Sequence, residues 1–131
     1  MNDYCEILRN SKTIAVVGIS DKPGRDSGLI AQFLKSKGYT VFGVNPVLTK
    51  FNDIPIYKSL KEIPFEVDIV DIFRRSDLVE EIVDEAIEIK AKTIWMQLGV
   101  VNHTAAKKAE DAGLKVVMDH CISVEYRKCN F

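Results

Sequence analysis

Two hydrophobic periods alternate along this chain, and the alternation restricts its fold more tightly than any other feature. Continuous apolar runs rich in Val and Ile occupy residues 13–19, 40–44, 67–73, 93–98 and 114–118. Runs without polar alternation read as strands buried on both faces, the pattern of parallel strands covered by helices on two sides. Between them the period lengthens to that of a helix. Leu29, Ile30, Phe33 and Leu34 share one face, and Gly38 supplies a left-handed stop. Leu78, Val79, Ile82, Val83, Ala86 and Ile87 outline a second helix, with Ser76, Asp77 and Glu80 as its expected cap. Ala105, Ala106, Ala109 and Ala112 outline a third, stopped at Gly113. The link holding Pro46, Pro55 and Pro64 leaves room for a short helical turn near 59–63, and residues 4–8 and 122–128 read as terminal helices. Such alternation implies right-handed crossovers and one parallel sheet. The expectation is a single α/β domain over residues 1–131, a doubly wound parallel sheet of five strands in the order 3-2-1-4-5.

Composition narrows the function classes without naming one. The chain has 18 basic and 19 acidic residues and a net charge of −1, so no overall field draws nucleic acid or an anionic membrane. No apolar run approaches the roughly 18–20 residues of a membrane helix, and the first residues read without a secretory leader. Cys5, Cys121 and Cys129 are too few and too scattered for a disulfide framework, which points to a reducing, cytoplasmic setting.

In doubly wound sheets ligands bind beyond the carboxyl ends of the strands, where the strand order reverses. After the first strand come Gly18, Ile19, Ser20, Asp21, Lys22, Pro23, Gly24, Arg25, Asp26, Ser27 and Gly28. Glycines admit a ligand close to the backbone, amides at a helix start favour phosphate oxygens, and the Ser, Lys and Arg side chains add donors and charge. The segment matches neither G-x-G-x-x-G nor a P-loop, and it also reads as a polar connecting loop. The second strand ends in Asn45-Pro46, where NAD-binding domains carry Asp or Glu about 20 residues past the glycine turn. That substitution disfavours NAD, while a simple Asn-Pro turn stays open. The third strand ends in Phe73-Arg74-Arg75, with guanidinium groups suited to phosphate and a ring able to lie against adenine. One of the two arginines can equally be an ion-pair partner of Glu80 or Glu81. The fourth strand ends in Met96-Gln97-Leu98-Gly99, and the fifth in Met118-Asp119-His120-Cys121.

Read in order, V-V-G-I-S-D-K-P, V-N-P, V-D-I-V-D-I-F-R-R-S, W-M-Q-L-G-V and V-V-M-D-H-C resemble the small CoA-binding proteins built from a lone CoA-binding domain. Their Rossmann-type fold is similar to the N-terminal domain of the succinyl-CoA synthetase α-subunit. The resemblance covers essentially the whole chain and implies coenzyme A, or a short acyl-CoA, as the ligand. By that likeness residues 18–25 hold the CoA phosphates, Asn45-Pro46 and Phe73-Arg74-Arg75 flank the adenosine and its 3′-phosphate, and Met96-Gln97-Leu98-Gly99 line the pantetheine arm.

The chain departs from the synthetases in carrying neither the domain that bears their phosphorylated histidine nor the nucleotide-grasp subunit. His103 and His120 have no nucleophile placed beside them by motif, so no catalytic residue is assigned. His120, Cys121 and Cys129 lack the paired spacing of a metal site, and none is expected. Cys121 reads either as an inert thiol or as one able to meet the CoA thiol in a mixed disulfide. The expectation is therefore a binding module rather than an enzyme. The alternatives are the CoA-holding subunit of a split acyl-CoA synthetase or transferase, which needs a partner chain, and an NAD(H)-sensing domain reported by Trp95. A homo-oligomer is compatible with either.

Overall fold

A computed structural model describes residues 3–131 as three layers, with helices on both faces of a mixed sheet. In chain order the elements are α1 (Tyr4–Asn10), β1 (Thr13–Val17), α2 (Asp26–Ser36), β2 (Thr40–Val44), β3 (Lys50–Phe51), β4 (Ile54–Tyr57), β5 (Ile69–Ile72), α3 (Val79–Glu88), β6 (Thr93–Met96), α4 (His103–Asp111), β7 (Lys115–Val117) and α5 (Ile122–Lys128). Single 3₁₀ turns lie at Leu60–Glu62, where a short turn was expected, and at Ser76–Leu78. Among the described residues no helix is long and apolar enough to cross a membrane.

The sheet has seven strands rather than five, in the order β3-β4-β2-β1-β5-β6-β7. All neighbours run parallel except β3 and β4, which form an antiparallel hairpin. The expected order 3-2-1-4-5 is also corrected: the third apolar run, β5, pairs with β1, on the side away from β2. The position beside β2 is filled instead by β4, with Gly43 opposite Ile56 and Val44 opposite Tyr57. Prolines exclude a central strand but tolerate a short strand near a sheet edge, so the Pro-rich link conceals this hairpin. Its two-residue turn rests on Asn52, whose φ of 50° suits Asn.

Alternate residues of the central strands feed two cores. Ala15, Val17, Val70, Ile72, Ile94 and Met96 meet α3 and α4 through Val79, Val83, Ala105 and Ala109. Ile14, Val16, Ile69 and Trp95 face the other way, toward α1, α2 and α5, where Leu8, Ile30, Leu34 and Ile122 close the layer. Asp71 falls on that second face, in register between Val16 and Trp95. At the opposite end of β5, Asp68 accepts the Lys12 and Thr13 amides at 2.7 and 3.1 Å and fastens β1 to β5. Burial alone would raise the Asp68 carboxyl, but those two amides and Lys92 hold it below the ordinary value.

Two expectations fail locally. The Ser76–Glu80 cap is not made, because Ser76 Oγ accepts the Val101 amide at 2.9 Å instead. Cys5 and Cys129 are joined in a disulfide across 124 residues, with Cα atoms 5.5 Å apart. The terminal helices α1 and α5 pack side by side and bring the two cysteines together. Sequence separation hid this contact, and the reducing-compartment expectation loses the support it drew from scattered cysteines.

Candidate functional site

The strand order reverses between β1 and β5. From there the chain departs to α2 on one face of the sheet and to α3 on the other, which opens a crevice at the carboxyl ends. Gly18 leaves β1 with φ of 90° and lies against the Phe73 carbonyl and the Arg74 side chain. A Cβ at this position would fall on the Phe73 carbonyl oxygen and stand 2.8 Å from Arg74 Cδ, so only glycine allows the approach. Phe73 N also donates to Val17 O at 2.8 Å. The stretches 18–25 and 73–75 therefore meet, as the sequence reading required.

The loop after β1 is shaped by its own hydrogen bonds. Ser27 Oγ accepts the Ser20 amide at 2.9 Å, and Ser20 Oγ accepts the Lys22 amide at 3.1 Å. Gly28 lacks a side chain where Ser20 O and the Phe51 ring press on α2. Arg25 stands at the N-cap of α2 and gives no side-chain cap. The first-turn amides of Asp26, Ser27 and Gly28 consequently have no acceptor among the described residues. Uncapped amides at the positive end of a helix are a site for anionic oxygen.

These groups wall a cleft of about 460 Å³, lined by Gly18, Ser20, Gly24, Arg25, Asp26, Ser27, Ile30, Phe73, Arg74, Arg75, Gln97, Leu98, Val100 and Cys121. A second groove of about 340 Å³ lies across Arg74, which lines both, and takes in Val44, Pro46, Lys58, Leu60, Glu81, Ile82 and Glu85. Arg74 makes no ion pair among the described residues. Arg75 pairs with Asp77, Nε to Oδ1 at 3.3 Å, in an exposed contact of little strength. The expected partner Glu80 is held by Lys108 at 2.8 Å instead. Asp26 is the one acidic side chain on the larger cleft's wall, against three arginines.

Other anticipated residues fall elsewhere. Ile19 and Met96 are fully buried in the two cores, and Asp21 and Lys22 are exposed on the loop outside the cleft wall. Asn45 is turned inward: its Nδ2 donates to Ile19 O at 2.8 Å, and its Oδ1 accepts the Val47 and Leu48 amides, each at 2.8 Å. It shapes the rim rather than offering an amide to a ribose. Gln97 lines the cleft, but its Oε1 accepts the Ile122 amide at 3.0 Å. Gly99 caps a turn whose amide donates to Asp119 at 2.7 Å. Trp95 is wholly buried beside Asp71, beneath the cleft and not on its wall. Gly24 lines the larger cleft within the loop singled out by the sequence, while Asp26, Ile30 and Val100 line it without having been assigned there. Lys58 and Glu85 escaped notice, and Glu81 was read only as an ion-pair partner, because the expected strand order placed their segments elsewhere.

The profile of a CoA binding domain matches residues 12–127. The chain belongs to the CoA-binding domain family. A relative in Bacillus subtilis, the uncharacterized protein YneT, is 40% identical over 121 residues, covering 92% of this chain and 90% of that one. A solved structure of a hypothetical protein from Pyrococcus horikoshii superposes with a TM-score of 0.93 at 38% identity, covering 96% of this chain and 89% of its own. The chain is also 29% identical over 129 residues to acetate–CoA ligase [ADP-forming] I of Archaeoglobus fulgidus, of which it spans 19%. In this CoA-binding domain the uncapped amides of α2, the Gly18 approach and the unpaired Arg74 form a cradle chemically fitted to phosphate. CoA would supply the anions, and the two grooves that meet at Arg74 offer an elongated bed for the rest.

Proposed function

We propose that the protein binds coenzyme A or a short acyl-CoA through its phosphates and adenosine, with no complete catalytic machinery of its own. The observation that carries this reading is the convergence of Gly18, the uncapped start of α2 and an unpaired Arg74 on one cleft. Pyrophosphate lies on the α2 amides, and Arg74, at the junction of the two grooves, takes the 3′-phosphate. Adenosine occupies the side of Pro46, and the pantetheine arm runs past Gln97 and Leu98 toward Cys121. Among the described residues no three His, Cys, Asp or Glu side chains are grouped to hold a metal ion.

Calorimetric titration with CoA, dephospho-CoA and NAD tests the reading. CoA is expected to bind more tightly than dephospho-CoA, and NAD weakest of the three. Arg74→Ala should cost about 1.5–3 kcal/mol of CoA affinity, roughly 10- to 150-fold, with a smaller loss for dephospho-CoA. Equal affinity for CoA and dephospho-CoA would remove the role given to Arg74; silence with all three ligands would end the proposal.

The likeness to the Archaeoglobus ligase supports a second reading, in which the chain is the CoA-holding part of a split synthetase. That reading requires a partner chain that co-purifies and confers turnover. A monodisperse protein that binds CoA alone, without turnover, decides for the binding module.

A further inference from the structure

Cys121 is the free cysteine of the described chain, and it stands half-buried on the cleft wall. Its position is set by a firmly pinned segment. Asp119 adopts φ of 65° and accepts the Gly99 amide, the Trp95 indole donates to His120 O at 2.9 Å, and His120 N donates to Met96 O at 3.3 Å. Cys121 therefore lines the cleft beyond β7, three strands along the sheet from β1 and the proposed phosphate cradle. Its Sγ lies 3.2 Å from Ser123 Oγ. Burial opposes ionisation of the thiol, but hydrogen bonds from the Ser123 hydroxyl, the Val124 amide, the Gln97 side chain and the Ser123 amide outweigh it and lower the pKa.

A second, independent feature lies beneath. Asp71 projects from β5 toward the α2–α5 side, is fully buried, and neither carboxyl oxygen has a hydrogen-bond partner. Cys121 packs against the same core layer that Asp71 faces. A buried carboxyl left without a partner costs free energy unless something completes it. Asp71 is therefore an incomplete polar group in the same layer that Cys121 packs against, behind the cleft wall.

We propose that Cys121 captures the thiol end of CoA as a mixed disulfide, by exchange with a CoA disulfide held in the cleft. The inference rests on the CoA reading above. In the step, Cys121 Sγ attacks one sulfur of the CoA disulfide, a new S–S bond forms, and the old S–S bond breaks. The departing CoA thiolate leaves with the electron pair and takes the proton that Cys121 gives up, so one disulfide replaces another and no outside oxidant is needed. The phosphate cradle makes the exchange selective, because binding raises the local concentration of this disulfide over others.

The test uses the unmodified full chain, incubated separately with CoA disulfide and with glutathione disulfide, followed by intact mass and peptide mapping. CoA binding is titrated on the same preparation. Attachment of one CoA to the Cys121 peptide is expected, at least roughly tenfold faster than glutathionylation and slowed by added reduced CoA. Cys121→Ser should abolish the adduct, whereas Cys5→Ser combined with Cys129→Ser should retain it. Equal rates with the two disulfides, or CoA carried only on Cys5 or Cys129, overturn the proposal. CoA binding without an adduct sinks the capture step alone, and absence of CoA binding sinks the cofactor reading and the capture together.

Discussion

Asp71 sits mid-sheet between Val16 and Trp95, without a hydrogen bond to either carboxyl oxygen. Burial, reinforced by the Cys121 thiol, pushes its carboxyl well above the ordinary 3.8. The linkage follows directly. Below pH 3.8 both folded and unfolded chains hold the proton and stability is undiminished; above it the unfolded chain ionises first. Stability then falls by up to about 1.4 kcal/mol per pH unit until the folded carboxyl also ionises. Asp71→Asn deletes this slope, so its stability relative to wild type should rise as the pH climbs above about 4. Urea unfolding across that range checks it, and parallel curves would show that Asp71 does not resist ionisation. The run VDIVDIF announces a buried strand but gives no hint that its second Asp goes unpartnered, since pairing depends on neighbours brought in from other strands. Asn45 shows the same limit. Its type suited a ribose contact, yet three hydrogen bonds to Ile19, Val47 and Leu48 commit it to the rim.

At the scale of elements, the site depends on β1 and β5 lying side by side. Their carboxyl ends touch through Gly18 and the Phe73–Arg74 backbone and side chain. Gly18→Ala would force a side chain into left-handed backbone and against Arg74, at a cost of about 2–4 kcal/mol. Denaturant midpoints should drop accordingly, and CoA affinity should drop with them, because Arg74 is displaced. A variant with wild-type stability and affinity would break the proposed link between this contact and the cradle. The buried strands and their helices were legible because apolar runs and helical periods are local signals. Strand order was not, since nothing within 67–73 says which neighbour it prefers. The placing of the loop after β1 does not depend on that order: reversal at either side of β1 leaves residues 18–25 at a switch point. The groove of Lys58, Glu81 and Glu85 does depend on it, because its lining is set by where β4 lies.

Across the whole molecule, α1 and α5 lie together on one face, and the Cys5–Cys129 bond spans nearly the entire chain. Closing so long a loop restricts the unfolded ensemble strongly, so reduction should lower stability by about 2–4 kcal/mol. Thermal unfolding with and without reductant measures this, and an unchanged transition would mean the bond adds no restraint. Because Cys121 lies outside this pair, blocking it with an alkylating reagent before reduction separates its chemistry from theirs. A cut anywhere between the two bonded cysteines would leave a single covalent body, its fragments parting only once a reductant is added. Proteolysis of the oxidised protein therefore leaves one band on non-reducing electrophoresis, its mass changed only by the water each cut adds, while reducing electrophoresis reveals every nick.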